Sequence, residues 1–67
     1  MSKLGISKTI TKLRVGLGLT QEQFAARVGV TLSTVNRWEN SVGKPSPLAM
    51  ARIKELQNEL EAKEPVL

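Results

Sequence analysis

Thr20–Asn40, TQEQFAARVGVTLSTVNRWEN, reads as two short helices joined by a glycine turn. With Gln21 opening the first helix, Phe24, Ala25 and Val28 fall on one face at steps of one, three and four. Gly29 ends that helix, because glycine takes a positive φ without strain. A second helix from Leu32 turns Val35 and Trp38, three residues apart, toward the same core, while Val30 plugs the turn. Thr20 and Gln23 have the spacing of a capping box, and Thr31 is the expected cap of the second helix. A small residue and a glycine are what any helical hairpin needs, so Ala25 and Gly29 are read as architecture.

Outward from this hairpin the apolar periodicity continues. Ile6, Ile10, Leu13 and Leu17, at steps of four, three and four, predict a helix over 6–17, with Gly16 and Gly18 weakening its end and Leu19 packing back. After Asn40, the stretch SVGKPSP excludes helix and marks a surface loop. Ser46 and Pro47 then read as the cap and first position of a last helix over 47–62, with the stripe Ala49, Ile53, Leu56 and Leu60. The expected fold is all-α, a four-helix bundle with helices near 6–17, 21–28, 32–40 and 47–62. It makes one domain over 1–62 with a flexible tail at 63–67, since Pro65 stops the last helix.

Composition narrows the chemistry. The 67 residues include no cysteine, histidine, aspartate or tyrosine. Disulfides, thiolate or imidazole metal ligands and the usual general base are therefore absent, and no cluster builds an activated nucleophile. The expectation is a protein that is no enzyme and uses no metal and no cofactor. A core of this size leaves about 3–5 kcal/mol of net stability, which dimerisation would raise. The longest apolar runs are a few residues, too short for a membrane span, so a cytoplasmic or nucleoid location is expected.

The net charge of +4 hides an asymmetry. Residues 1–54 carry nine lysines and arginines against Glu22 and Glu39, a balance of +7, whereas 55–67 stand at −3. A polyanion is the expected visitor to the basic body. On a helical wheel Ser33, Asn36, Arg37 and Asn40 fall opposite Val35 and Trp38, and short polar side chains on an exposed helix are what reading base edges in a major groove requires. Arginine bridges guanine's two acceptors, asparagine pairs with adenine, serine serves either, and Thr31 and Leu32 offer methyl groups to thymine. A polar outer face is common to surface helices, so the surrounding motif carries the inference. Phosphates would be held at helix amino ends by Gln21, by Lys44 in the loop, and by Asn40. Lys8, Lys12 and Arg27 are given no specific contact. Phe24 and Trp38, the only aromatics, are assigned to the core rather than to a stacking platform. Arg14 shares a side with Ile10 and Leu17, and Glu39 lies at the inner edge of its helix, so the two are expected to form a partly buried ion pair.

These residues resemble a known family. LR at 13–14, LGLTQEQFA at 17–25, RVGV at 27–30 and STVNRWEN at 33–40 are similar to the DNA-binding domains of Cro- and repressor-type (xenobiotic-response-element) helix-turn-helix regulators of phages and bacteria. The resemblance spans about Ile6 to Ile53. It implies a bundle of four or five helices, double-stranded DNA as partner, a recognition helix at 32–40 in the major groove, and a homodimer on a palindromic operator. By the same analogy Gln21 takes the phosphate role, Thr31, Leu32, Ser33, Asn36 and Arg37 the base-reading window, and Arg14 with Glu39 an interhelical pair. Two departures stand out: Ser41 occupies the place where many relatives carry glycine after Glu-Asn, and Leu32 cannot hydrogen-bond a base. No fifth helix is evident. The runner-up reading is an interaction module, an antitoxin or adaptor, that meets a protein partner through helix 47–62 and binds DNA only secondarily.

Overall fold

The computed structural model describes residues 5–63, and among these the chain forms four α-helices and no strand. They are α1 (Gly5–Gly16), α2 (Gln21–Val28), α3 (Leu32–Glu39) and α4 (Pro47–Lys63). The boundaries follow from capping chemistry. At the start of α2, the Gln23 amide donates to Thr20 Oγ1 at 3.1 Å and the Thr20 amide donates to Gln23 Oε1 at 2.9 Å, which closes the capping box. Thr31 caps α3 by accepting from the Thr34 amide at 3.3 Å, and Ser46 caps α4 by accepting from Ala49 at 3.2 Å, with Pro47 at the first helical position.

The ends of α1, α2 and α3 share one device. Beyond each, an amide donates back five residues, Leu19 to Arg14, Val30 to Ala25 and Val42 to Arg37, at 3.0, 2.9 and 2.7 Å. The residue before that donor is left-handed: Gly18 at φ 72°, Gly29 at 91° and Ser41 at 64°. These are Schellman ends, which satisfy orphan carbonyls and turn the chain sharply. The first two use glycine, and the third does not.

Packing follows the stripes. Ile10 and Leu13 of α1, Phe24, Ala25 and Val28 of α2, Val35 and Trp38 of α3, and Ala49, Ile53 and Leu56 of α4 form one buried core, edged by Ile6, Leu17, Leu19, Val30, Met50 and Leu60. Phe24, Ile10, Ile53 and Val35 are fully enclosed. The most extensive packing is between α2 and α3, where Ala25 is buried.

The expected boundaries shift slightly. Gly5, the first described residue, is already helical, and α1 ends at Gly16, although the Leu17 amide still donates to Leu13. Asn40 caps α3 rather than belonging to it, and α4 runs to Lys63, so Lys63 is helical rather than part of a tail. The expected tail at 64–67 lies outside the described residues. Gly16 has a packing role: a Cβ there would meet Leu60 Cδ2 at 2.9 Å, so its bareness lets the α4 stripe seat against the end of α1.

Candidate nucleic-acid interface

α3 is held from behind and bare in front. Val35 and Trp38 anchor it in the core, while Thr31, Leu32, Ser33, Asn36 and Arg37 all stand exposed on its outer side. Leu32, Ser33, Asn36 and Arg37 thus lie within one broad exposed arc of α3, and Thr31 is exposed at its N-cap. Leu32 is an exposed apolar side chain at the first position, and the Thr31 hydroxyl is engaged with that of Thr34 at 2.9 Å. Arg37 forms no ion pair among the described residues. Of the residues nominated for phosphate, Gln21 is half-buried at the first position of α2, Asn40 is exposed at the end of α3, and Lys44 is exposed in the 41–46 loop.

Behind this face lies an ion pair. Arg14 Nε donates to Glu39 Oε2 at 2.7 Å and a second guanidinium nitrogen to Oε1 at 3.2 Å, with the side chains 19% and 9% exposed. This forked geometry is the strong form of the interaction. Arg14 also donates to the Leu19 carbonyl at 3.1 Å, which ties the α1–α2 turn to α3. Burial pushes the Glu39 carboxyl up, but the hydrogen bonds from Arg14 and Gln21, the Arg14 charge and the Thr11 hydroxyl outweigh it and hold the group below its ordinary value. The hydrogen bond to Glu39 raises Arg14, against a smaller opposing effect of burial.

A chain of amides leads from the ion pair to the outer face. Gln21 Nε2 donates to Glu39 Oε1 at 3.2 Å, and Asn36 Nδ2 donates to Gln21 Oε1 at 3.3 Å. Asn40 Nδ2 donates to the Asn36 carbonyl at 2.8 Å and to Asn36 Oδ1 at 3.1 Å. Three of the nominated residues, Gln21, Asn36 and Asn40, are therefore linked to one another and to Glu39. Arg37 and Lys44 stand apart from that chain.

Ser7 went unnoticed in the sequence. It is the buried polar residue of α1, and its hydroxyl donates to the Glu39 carbonyl at 2.6 Å, anchoring the carboxyl end of α3. The signal was available: Ser7, Thr11 and Arg14 recur at steps of four and three, a polar stripe beside the apolar one. Arg27 pairs across to Glu59 of α4 at 2.7 Å, which withdraws one basic group from the field and neutralises one acid of the α4 end. Among the described residues, no group of three acids, histidines or cysteines could hold a metal ion, and no helix is long and apolar enough to cross a membrane.

A family model described as helix-turn-helix, of the Cro/C1 type, matches residues 10–56. The chain belongs to this helix-turn-helix family. No curated protein and no solved structure matches it. The matched span contains α2, α3 and the loop between α3 and α4 whole, so every nominated base-reading and phosphate residue falls inside it. A helix-turn-helix domain of this family is a DNA-binding module of transcription regulators and not an enzyme fold.

Proposed function

We propose that the protein is a sequence-specific reader of double-stranded DNA that represses transcription by occluding its operator, with α3 lying in the major groove. The observation that carries this reading is the outer face of α3, where Ser33, Asn36 and Arg37 stand exposed on a helix whose other side is locked into the core. Arg37 reads guanine through its two acceptors, Asn36 reads adenine, Ser33 completes the polar contacts, and Thr31 and Leu32 supply apolar contact to thymine methyl groups. Gln21, Asn40 and Lys44 fix the register on the phosphates, aided by the amino end of α2.

The protein acts on a palindromic operator as a symmetric dimer, whose half-sites would lie about one helical turn, roughly 34 Å, apart. Val42 in the loop after α3 and Leu48 in the first turn of α4, 54% and 75% exposed, are apolar side chains that a second copy can cover. Leu48→Glu is expected to lower cooperativity between half-sites while leaving half-site preference unchanged.

Selection from a random duplex library, followed by a salt titration on the winner, tests the proposal. The expected result is an enriched two-fold symmetric sequence whose log affinity falls with log salt at a slope of about −0.9 per phosphate neutralised. No enriched sequence together with a flat salt response would refute it.

A further inference from the structure

The amide chain behind α3 has a fixed polarity. An ionised carboxylate only accepts hydrogen bonds, so Glu39 obliges Gln21 to present its NH2 group, at 3.2 Å, and leaves Gln21 Oε1 as the atom facing Asn36. That oxygen in turn takes the Asn36 NH2 group at 3.3 Å. From the other side, the main-chain carbonyl of Asn36 is also a pure acceptor and obliges Asn40 to present its NH2 group, at 2.8 Å, which then reaches Asn36 Oδ1 at 3.1 Å. Turning the Asn36 amide over would set oxygen against oxygen at Gln21 and nitrogen against nitrogen at Asn40.

We infer that Gln21, pinned by the Glu39 carboxylate, is a positioning residue that sets the specificity of Asn36 by fixing which way its amide points. The inference rests on the reading of Asn36 as a base contact. Within the protein Asn36 spends one N–H on Gln21 and one lone pair on Asn40. One donor and one acceptor remain, the number that a paired contact with the N7 acceptor and N6 amine of adenine takes. An asparagine free to turn over would offer that arrangement in only one of two orientations and would tolerate other bases in the second. Arg14 belongs to the same device, because its two hydrogen bonds keep Glu39 ionised and stationary.

The test measures base preference at every position of the selected operator for the unmodified protein and for Gln21→Met, Asn36→Ala and the double variant. Gln21 is half-exposed and outside the core, so methionine replaces its length without disturbing the fold. The unmodified protein should prefer adenine about tenfold or more at one base pair of each half-site, and Asn36→Ala should abolish that preference. Gln21→Met should reduce it at least about threefold at that base pair alone, on top of whatever uniform loss follows from a missing phosphate contact. In the double variant Gln21→Met should have no further effect on preference at that position. If Asn36→Ala abolishes the preference but Gln21→Met leaves it intact, the positioning role is wrong while the base contact stands. If Asn36→Ala changes no base preference, both fall. A preference there for a base other than adenine overturns the assigned orientation.

Discussion

Ser41 holds a left-handed backbone, φ 64°, at the close of α3, a conformation that costs a residue with a Cβ about 1–2 kcal/mol. Glycine at the same turn would relieve that strain and give back part of the gain through its freer unfolded chain. Ser41→Gly is therefore expected to stabilise the domain by about 0.5–1 kcal/mol, seen as a higher urea midpoint with an unchanged slope. The substitution of serine for the family's glycine was visible in the sequence, but its conformational consequence needed the backbone. Glu39 supplies a pH prediction. Its folded-state carboxyl lies below the ordinary value of 4.5, so the unfolded chain takes up the proton first on acidification. The stabilisation from Glu39 is complete above that ordinary value and is lost as pH falls through the lowered one. The raised Arg14 keeps its contribution throughout this range. Glu39→Gln should flatten the acid limb of the stability curve measured by urea unfolding at a series of pH values. Removing one partner outright, as in Arg14→Ala, should cost about 3 kcal/mol, most of what a core this small leaves.

At the scale of elements, the hairpin of α2 and α3 depends on one turn. Gly29 sits at φ 91°, and a Cβ built there meets nothing within 4 Å, so Gly29→Ala carries a backbone penalty and no clash. It should cost about 1–2 kcal/mol in thermal or urea unfolding while leaving base preference intact, because the α3 face itself does not change. The helices were legible because their signals are local: Thr20 with Gln23, Thr31, Ser46-Pro47 and the apolar steps each act within one or two turns. Gly16 shows where that reading stops. Its sequence neighbourhood marks it only as a weak helix former, and its close approach to Leu60, 44 positions further on, is a tertiary fact. The amide chain from Glu39 to Asn40 was equally beyond reach, since a wheel gives the side on which Gln21 and Asn36 lie but not that they meet.

Across the whole molecule, charge is organised by pairing as well as by position. Arg14 and Arg27 are tied to Glu39 and Glu59, whereas Arg37 on α3 and Lys44 in the loop after it are exposed with no such partner among the described residues. The Arg27–Glu59 pair is 43% exposed on both sides, so breaking it with Arg27→Ala should cost less than about 1 kcal/mol. The same variant frees Glu59 and should weaken DNA binding slightly and uniformly, an effect that fades at high salt. Phe24 marks the opposite extreme. It is fully buried, and the roughly 3–5 kcal/mol expected for Phe24→Ala matches the net stability of such a domain, so that variant should be largely unfolded by circular dichroism. Whether the outer face of α3 reads sequence is decided by the affinity of Arg37→Ala for every single-base variant of the selected operator, with Lys44→Ala as reference. A sequence-reading α3 requires a loss of about 1–3 kcal/mol for Arg37→Ala with preference relaxed at one base pair per half-site, against a uniform loss for Lys44→Ala. Equal, sequence-independent losses from both would contradict it and reduce Arg37 to a phosphate contact.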